Sequence, residues 1–178
     1  WSSLLSNKEL LEHCKKNNIS VVFYPHYSMQ NFVELFKQVE NDIVKIADFD
    51  HFDVQTLLIE SSLLITDYSS ILFDFAYMRK PELLYQFDEN DFYGKHYKRS
   101  YFNHRVNGFG DVIDKESDLV NKIISYSSNF ELNSEFKSKI DMFFPIFDDL
   151  NSERIYQAIV KKFIEKKKKH FYFNDLNV

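Results

Sequence analysis

The sequence predicts an α/β domain with a parallel, doubly wound sheet. Two observations carry this. Short apolar runs alternate with helical stretches along most of the chain, and one of those runs ends in a hydroxyl-rich turn that leads straight into a helix. Strands and helices alternating at this spacing form right-handed βαβ units, which make the strands parallel. A chain of 178 residues with 44% hydrophobic content can bury one sizeable core and is short for two.

The elements follow in order. Ser6 and Glu9 have the capping-box spacing for a helix over 7–17, which Asn17-Asn18 breaks. Ile19-Ser20-Val21-Val22-Phe23-Tyr24 reads as a buried strand that stops at Pro25-His26. A helix over 29–39, a strand over 43–46 and a loop through Asp50 come next. Helix 53–60, strand 62–66, helix 70–79 and strand 82–86 complete the regular part. Arg79-Lys80-Pro81 closes the helix before it, where cations suit the helix dipole. Residues 87–110 form a long aromatic and charged loop, and a loop of that length in a compact domain is usually functional or mobile. A short strand near 111–113 and helices near 115–127, 133–143 and 151–169 finish the chain.

The run Ser62 to Ala76 is the most informative about chemistry. Its apolar strand stops at Thr66-Asp67-Tyr68-Ser69-Ser70, and a helix begins at once with Asp74 one turn inside. In a parallel sheet that turn lies at the carboxyl end of a strand, where ligands bind. Backbone N–H groups at the start of a helix, joined by the Ser69 and Ser70 hydroxyls, suit an anion. A serine there could be only an N-cap, but a cap needs one hydroxyl and this turn offers Thr66, Asp67, Ser69 and Ser70 together. Asp74, among apolar neighbours, could accept hydrogen bonds from sugar hydroxyls. His26 ends another strand at the same edge, where an imidazole could act as general base or bind a phosphate. His51 follows the next strand on that edge, and His96 and His104 read as loop residues.

Composition narrows the classes. No apolar run approaches 18 residues, and no charged-then-apolar leader opens the chain. It starts at Trp1 without an initiator Met, which reads as a piece of a longer protein. The single Cys14 permits no internal disulfide and fits a reducing cytoplasm. A net charge of −5 argues against a nucleic-acid partner. The only glycines are Gly94, Gly108 and Gly110, so no Gly-rich dinucleotide or P-loop fingerprint exists. No His or carboxylate set has metal-ligand spacing, so neither a metal nor another cofactor is expected. Lys166 to Lys169 read as a solvated helix end, with contact to an anionic membrane surface as the sharper alternative.

Several segments resemble the CDP-glycerol glycerophosphotransferase family, the teichoic acid and capsule polymerases of bacteria. They are Phe-Tyr-Pro-His at 23–26, Leu-Leu-Ile-Thr-Asp-Tyr-Ser-Ser at 63–70 and Phe-Asp-Phe-Ala-Tyr-Met-Arg-Lys-Pro at 73–81. Tyr-Gln-Phe-Asp at 85–88, Gly-Phe-Gly-Asp-Val at 108–112 and Asn-Ser-Glu-Arg-Ile at 151–155 extend the likeness over most of residues 1–165. Asp111 stands where the family pattern has Pro. The resemblance implies the carboxyl-terminal, donor-binding Rossmann-like domain of a GT-B glycosyltransferase-like fold over 1–165, with a Lys-rich, aromatic tail over 166–178. An acceptor-side domain would precede Trp1. The implied reaction moves glycerol phosphate, or another polyol phosphate, from a CDP-alcohol to a growing teichoic acid or capsular polymer, or a lipid-linked saccharide, and releases CMP. Ser70, Asp74 and Pro81 match the order in which such domains hold donor phosphate and ribose, and His26 matches a family histidine. A second histidine is implied in the other half, so this piece alone would bind nucleotide and turn over poorly. The implied location is cytoplasmic, peripheral at the inner face of the plasma membrane. Two alternatives stand beside this: a sugar transferase using a UDP- or CMP-sugar, and a non-catalytic interaction module of the same fold.

Overall fold

The computed structural model describes the backbone of residues 1–96, 98 and 101–174, and the side chains of these residues except 96 and 167–174. Two compact units result, Trp1–Phe143 and Phe144–Val178.

The first unit opens with two helices, α1 (Ser2–Leu5) and α2 (Lys8–Lys16). The cap of α2 is Asn7, whose Oδ1 accepts from Leu10 N at 3.2 Å, rather than the Ser6–Glu9 box. An amide oxygen one residue later does the same work. Asn18 ends the helix at φ 60°, with Ile19 N donating to Cys14 O at 2.9 Å. That is a Schellman stop, and asparagine tolerates the left-handed position.

β1 (Val21–Phe23) pairs in parallel with β2 (Val44–Ile46). The single helix expected over 29–39 divides into a 3₁₀ turn (Tyr27–Phe32), a short helix α3 (Val33–Phe36) and a second 3₁₀ turn (Lys37–Val39). α4 (Val54–Glu60) starts on an Asp53 cap and leads into β3 (Leu64–Thr66). α5 (Ile71–Tyr77) then crosses to β4 (Glu82–Tyr85). The 87–110 loop holds α6 (Glu89–Asp91), a π turn (Phe92–His96) and α7 (His104–Asn107), and it ends at β5 (Asp111–Ile113). α8 (Glu116–Tyr126) and α9 (Ser134–Phe143) close this unit.

Every strand pairing is parallel, as the βαβ spacing predicts. The ladder, however, is in two parts: β1-β2, and β3-β4-β5 with β4 central. One apolar cluster serves both, since Val21 and Ile43 pack with Leu63, Ile65, Leu83 and Tyr85 against α2 and α8. All four β4 residues are buried, which is why Glu-Leu-Leu-Tyr shows no two-residue alternation. Leu83 and Leu84 are fully excluded from solvent, each worth about 1.5–3 kcal/mol.

Lys80 has a different partner from the one its position suggests. Its Nζ donates to Leu58 O, Ile59 O and Ser61 O at 3.0, 2.5 and 2.8 Å, so it satisfies the carboxyl end of α4 rather than of its own helix. α5 itself stops at Arg79, at φ 58°. Gly108 and Gly110 exist for close approach. A methyl on Gly110 would lie 2.0 Å from Glu82 O, and one on Gly108 would lie 2.2 Å from His104 O. Between them Phe109 is buried, with its ring 5.9 Å from Phe73 and 5.2 Å from Phe143. Asp111, in place of the family proline, accepts from Lys122 Nζ at 2.8 Å.

The second unit carries α10 (Asn151–Asn174), anchored by Arg154 to Asp148 at 2.8 Å. The division expected after residue 165 falls inside this helix. The side chains of Lys167 to Lys169 and residues 175–178 lie outside the described residues. Among the described residues no helix is long and apolar enough to cross a membrane.

Two predictions follow from β4. Glu82 is 1% exposed, and neither carboxyl oxygen has a hydrogen-bond partner among the described residues. Burial raises its pKa from 4.5 to about 8. The folded state therefore holds a proton that the unfolded state gives up above pH 4.5, and stability falls as pH rises from there to about 8. Glu82→Gln should remove this slope, at most about 1.4 kcal/mol per pH unit, in urea unfolding at pH 5, 6.5 and 8. Gly110→Ala should cost roughly 1–3 kcal/mol or more by the same measurement. Gly94→Ala, with nothing within 4 Å, is the control.

Candidate functional site

The Thr66–Ser70 turn leaves the carboxyl end of β3 and enters α5 directly. Thr66 is buried, Asp67 and Ser69 are half-buried, and Ser70 is exposed at the helix N-cap. Ser70 makes no side-chain cap bond. Neither serine hydroxyl, nor the backbone N–H of Ser69 or Ser70, has a hydrogen-bond partner among the described residues. Four donors, two hydroxyls and two backbone N–H groups, thus lie at the end of a strand without an acceptor among the described residues. Asp74 lies one turn along α5 on its exposed side, while Leu72, Phe75 and Ala76 are buried. Its apolar neighbours in sequence therefore face the core, and Asp74 does not.

Three side chains fix the turn. Asp67 Oδ1 accepts from Tyr68 N at 2.6 Å. Gln86, just past β4, donates from Nε2 to Asp67 O at 3.0 Å. The Tyr68 ring stacks on Phe92 at 3.7 Å and its hydroxyl donates to Asp88 at 3.0 Å. Burial, followed by that bond and the Asp88 charge, pushes the Tyr68 hydroxyl far above its ordinary pKa, so it stays protonated. The long loop is in this way tied down over the turn.

His26 stands exposed after β1. Its Nδ1 accepts from Ser28 N at 3.3 Å and lies 2.8 Å from Ser28 Oγ. With Nδ1 accepting, the neutral ring carries its proton on Nε2, which has no acceptor among the described residues. Among the described residues no hydrogen bond or ion pair joins His26 to the Thr66–Ser70 turn. The link between the strand ends is Trp1, whose ring is 5.8 Å from Phe23 at the end of β1 and 5.5 Å from Tyr85 at the end of β4.

Sequence reasoning did not single out Gln30, Gln86 or His104 for this edge. Gln30 is buried and joins two loops, donating to Pro25 O at 2.7 Å and accepting from Phe49 N at 3.3 Å. It holds the His26 loop beside the loop where Asp48 Oδ1 binds His51 Nδ1 at 2.7 Å. That bond lowers the Asp48 pKa. His104, read as a loop residue, begins α7 half-buried, with its ring 6.2 Å from Tyr68 and 5.5 Å from Phe102. Burial lowers its pKa, against the opposing charges of Glu89 and Asp67. It lines a cavity of about 60 Å³ with Gln86, Glu89, Tyr93, Asn103 and Arg105. The signal for Gln86 was its place in Tyr-Gln-Phe-Asp; nothing local marked His104. The His96 side chain lies outside the described residues.

The fold defines the class: a Rossmann-like α/β domain of the GT-B type. A variant of the wall teichoic acid polymerase TagF, solved after a soak with CDPG, superposes with a TM-score of 0.64 at 22% identity. The match covers 93% of this chain and 40% of that one. The family profile described as CDP-glycerol:poly(glycerophosphate) glycerophosphotransferase matches residues 2–161, and the chain belongs to that family. The minor teichoic acid biosynthesis protein GgaB of Bacillus subtilis (strain 168) is 35% identical over 162 residues, 90% of this chain and 17% of that protein. The teichoic acid glycerol-phosphate transferase of Staphylococcus aureus (strain NCTC 8325 / PS 47) is 27% identical over 158 residues, 86% of this chain and 38% of that protein. The chain thus spans well under half the length of these relatives.

Proposed function

We propose that this domain holds the CDP-alcohol donor of a transferase that adds polyol phosphate to a teichoic acid-type polymer. The observation that carries the reading is the set of uncommitted donors at Ser69 and Ser70, at the carboxyl end of β3, in a chain of this family. Family names on their own describe whole proteins, and this turn supplies the local chemistry.

The donor's diphosphate accepts hydrogen bonds from the Ser69 and Ser70 hydroxyls and N–H groups, with Thr66 and Asp67 shaping the turn. Asp74, exposed and without a partner among the described residues, accepts from the ribose hydroxyls. In the transfer step an acceptor hydroxyl oxygen attacks the phosphorus that carries the polyol, and the bond from that phosphorus to the CMP oxygen breaks. Negative charge then collects on the departing CMP. His26, with Nδ1 accepting from Ser28 N and Nε2–H left as a donor, donates to that charge. The proton lost by the acceptor hydroxyl goes to a base outside this domain, consistent with a second half that supplies the acceptor side. The same reading puts the domain at the inner face of the plasma membrane, where the exposed Lys161, Lys162 and Lys166 of α10 would face anionic lipid.

Replacing Ser69 and Ser70 by alanine should weaken CDP binding by roughly 1–3 kcal/mol in calorimetry, the scale for charge-assisted hydrogen bonds. Asp74→Asn should cost less affinity toward the deoxyribose nucleotide than toward CDP. Unchanged affinity in the double serine variant would place the phosphate elsewhere. His26→Ala in the active protein should lower turnover with CDP-glycerol by about 10²–10⁴-fold and leave the melting temperature nearly constant. Near-normal turnover would remove His26 from the reaction.

A further inference from the structure

The cavity joined to the Thr66–Ser70 turn through Gln86 has a chemistry that the phosphate does not use. Gln86 is only 2% exposed, and its Nε2 is committed to Asp67 O. Its amide oxygen has no hydrogen-bond partner among the described residues, and the side chain lines the cavity. His104 lines it too. Its Nδ1 is 3.4 Å from the Tyr93 hydroxyl, and its Nε2 has no partner among the described residues. Arg105, the cation on this wall, is held by Glu89 at 2.9 Å, so the wall offers no net positive charge for a phosphate.

A neutral imidazole and an amide oxygen can each engage a hydroxyl, which both donates and accepts. At about 60 Å³ the space is far below the ~300–1,000 Å³ of pockets that hold a whole drug-sized ligand. A nucleoside is excluded, and a small hydroxyl-bearing group fits. Gln86 joins its wall to the turn by one hydrogen bond, to the Asp67 carbonyl two residues before Ser69, which is the side from which a group continuing from a phosphate at Ser69 and Ser70 would enter.

We propose that this cavity is a subsite for the hydroxyl groups of the donor's polyol, with Gln86 and His104 as its binding residues. The assignment rests on the phosphate lying at Ser69 and Ser70. Ribose is the other hydroxyl-bearing part of the donor, and Asp74 on α5 serves it.

The test compares CDP with CDP-glycerol by calorimetry, in the protein and in His104→Phe. Phenylalanine keeps the ring contacts with Tyr68 and Phe102 and removes both nitrogens. The Kd for CDP-glycerol should rise about tenfold while that for CDP stays within about twofold. Equal loss for both ligands, or no loss for either, overturns the polyol assignment. A measurement on the unaltered protein guards against a variant that fails to fold. With histidine labelled for NMR, the His104 ring signals should shift on adding CDP-glycerol and hold still on adding CDP. Movement with both, or with neither, overturns it equally. Failure of the phosphate reading looks different, because the Ser69→Ala/Ser70→Ala protein would then bind both ligands as before.

Discussion

β4 has no solvent face, and the candidate site is assembled from what that strand constrains. Glu82, Leu83, Leu84 and Tyr85 are buried between β3 and β5, with α2 and α8 packed on the Leu83 and Tyr85 side. Packing this tight leaves room for only a hydrogen at Gly110. It also strands the Glu82 carboxyl without a partner, so the strand gives up some stability above acid pH. In return its last residue leads into Gln86, which holds the Asp67 carbonyl. The polar turn is therefore positioned by a side chain that directly follows the fully buried strand. Rigid support of this kind is what a binding constellation on a loop needs.

The two ends of the domain use polar side chains in contrasting ways. At the carboxyl ends of the strands, the side chains of Ser69, Ser70 and Asp74 and the Nε2 atoms of His26 and His104 have no hydrogen-bond partner among the described residues. Elsewhere several polar side chains are consumed by the backbone. Lys80 closes α4, Asp53 opens it, and Asn7 opens α2. The unspent hydrogen-bonding capacity at the carboxyl edge of the sheet is what a ligand can complete.

Much of this was legible because it depends on local pattern. The apolar runs at 19–24, 62–66 and 82–86 stand between helices, and a period argument needs nothing further. The turn Thr66 to Ser70 announced itself by four polar side chains in five residues. Features set by distant partners were not legible. The helix expected over 29–39 splits because Gln30 is drawn to Pro25 O and Phe49 N, and His26 Nδ1 caps the first turn. By sequence Lys80 reads as a cation at its own helix end, because its partners lie some twenty residues upstream. His104 reads as a loop residue, since only tertiary folding sets it against Tyr68. The break in the ladder between β2-β1 and β3-β4-β5 has no mark in the alternation of elements.

Trp1 is the chain's one tryptophan, half-buried between Phe23 and Tyr85. Those two rings end the strands that lead to His26 and to Gln86. An indole in that position emits according to its surroundings, and Tyr85 is near enough to pass excitation to it. The domain consequently carries its own optical gauge: relative movement of β1 and β4 at the sheet edge, as when a ligand draws the loops together, changes the colour and yield of a single emitter without any label being attached.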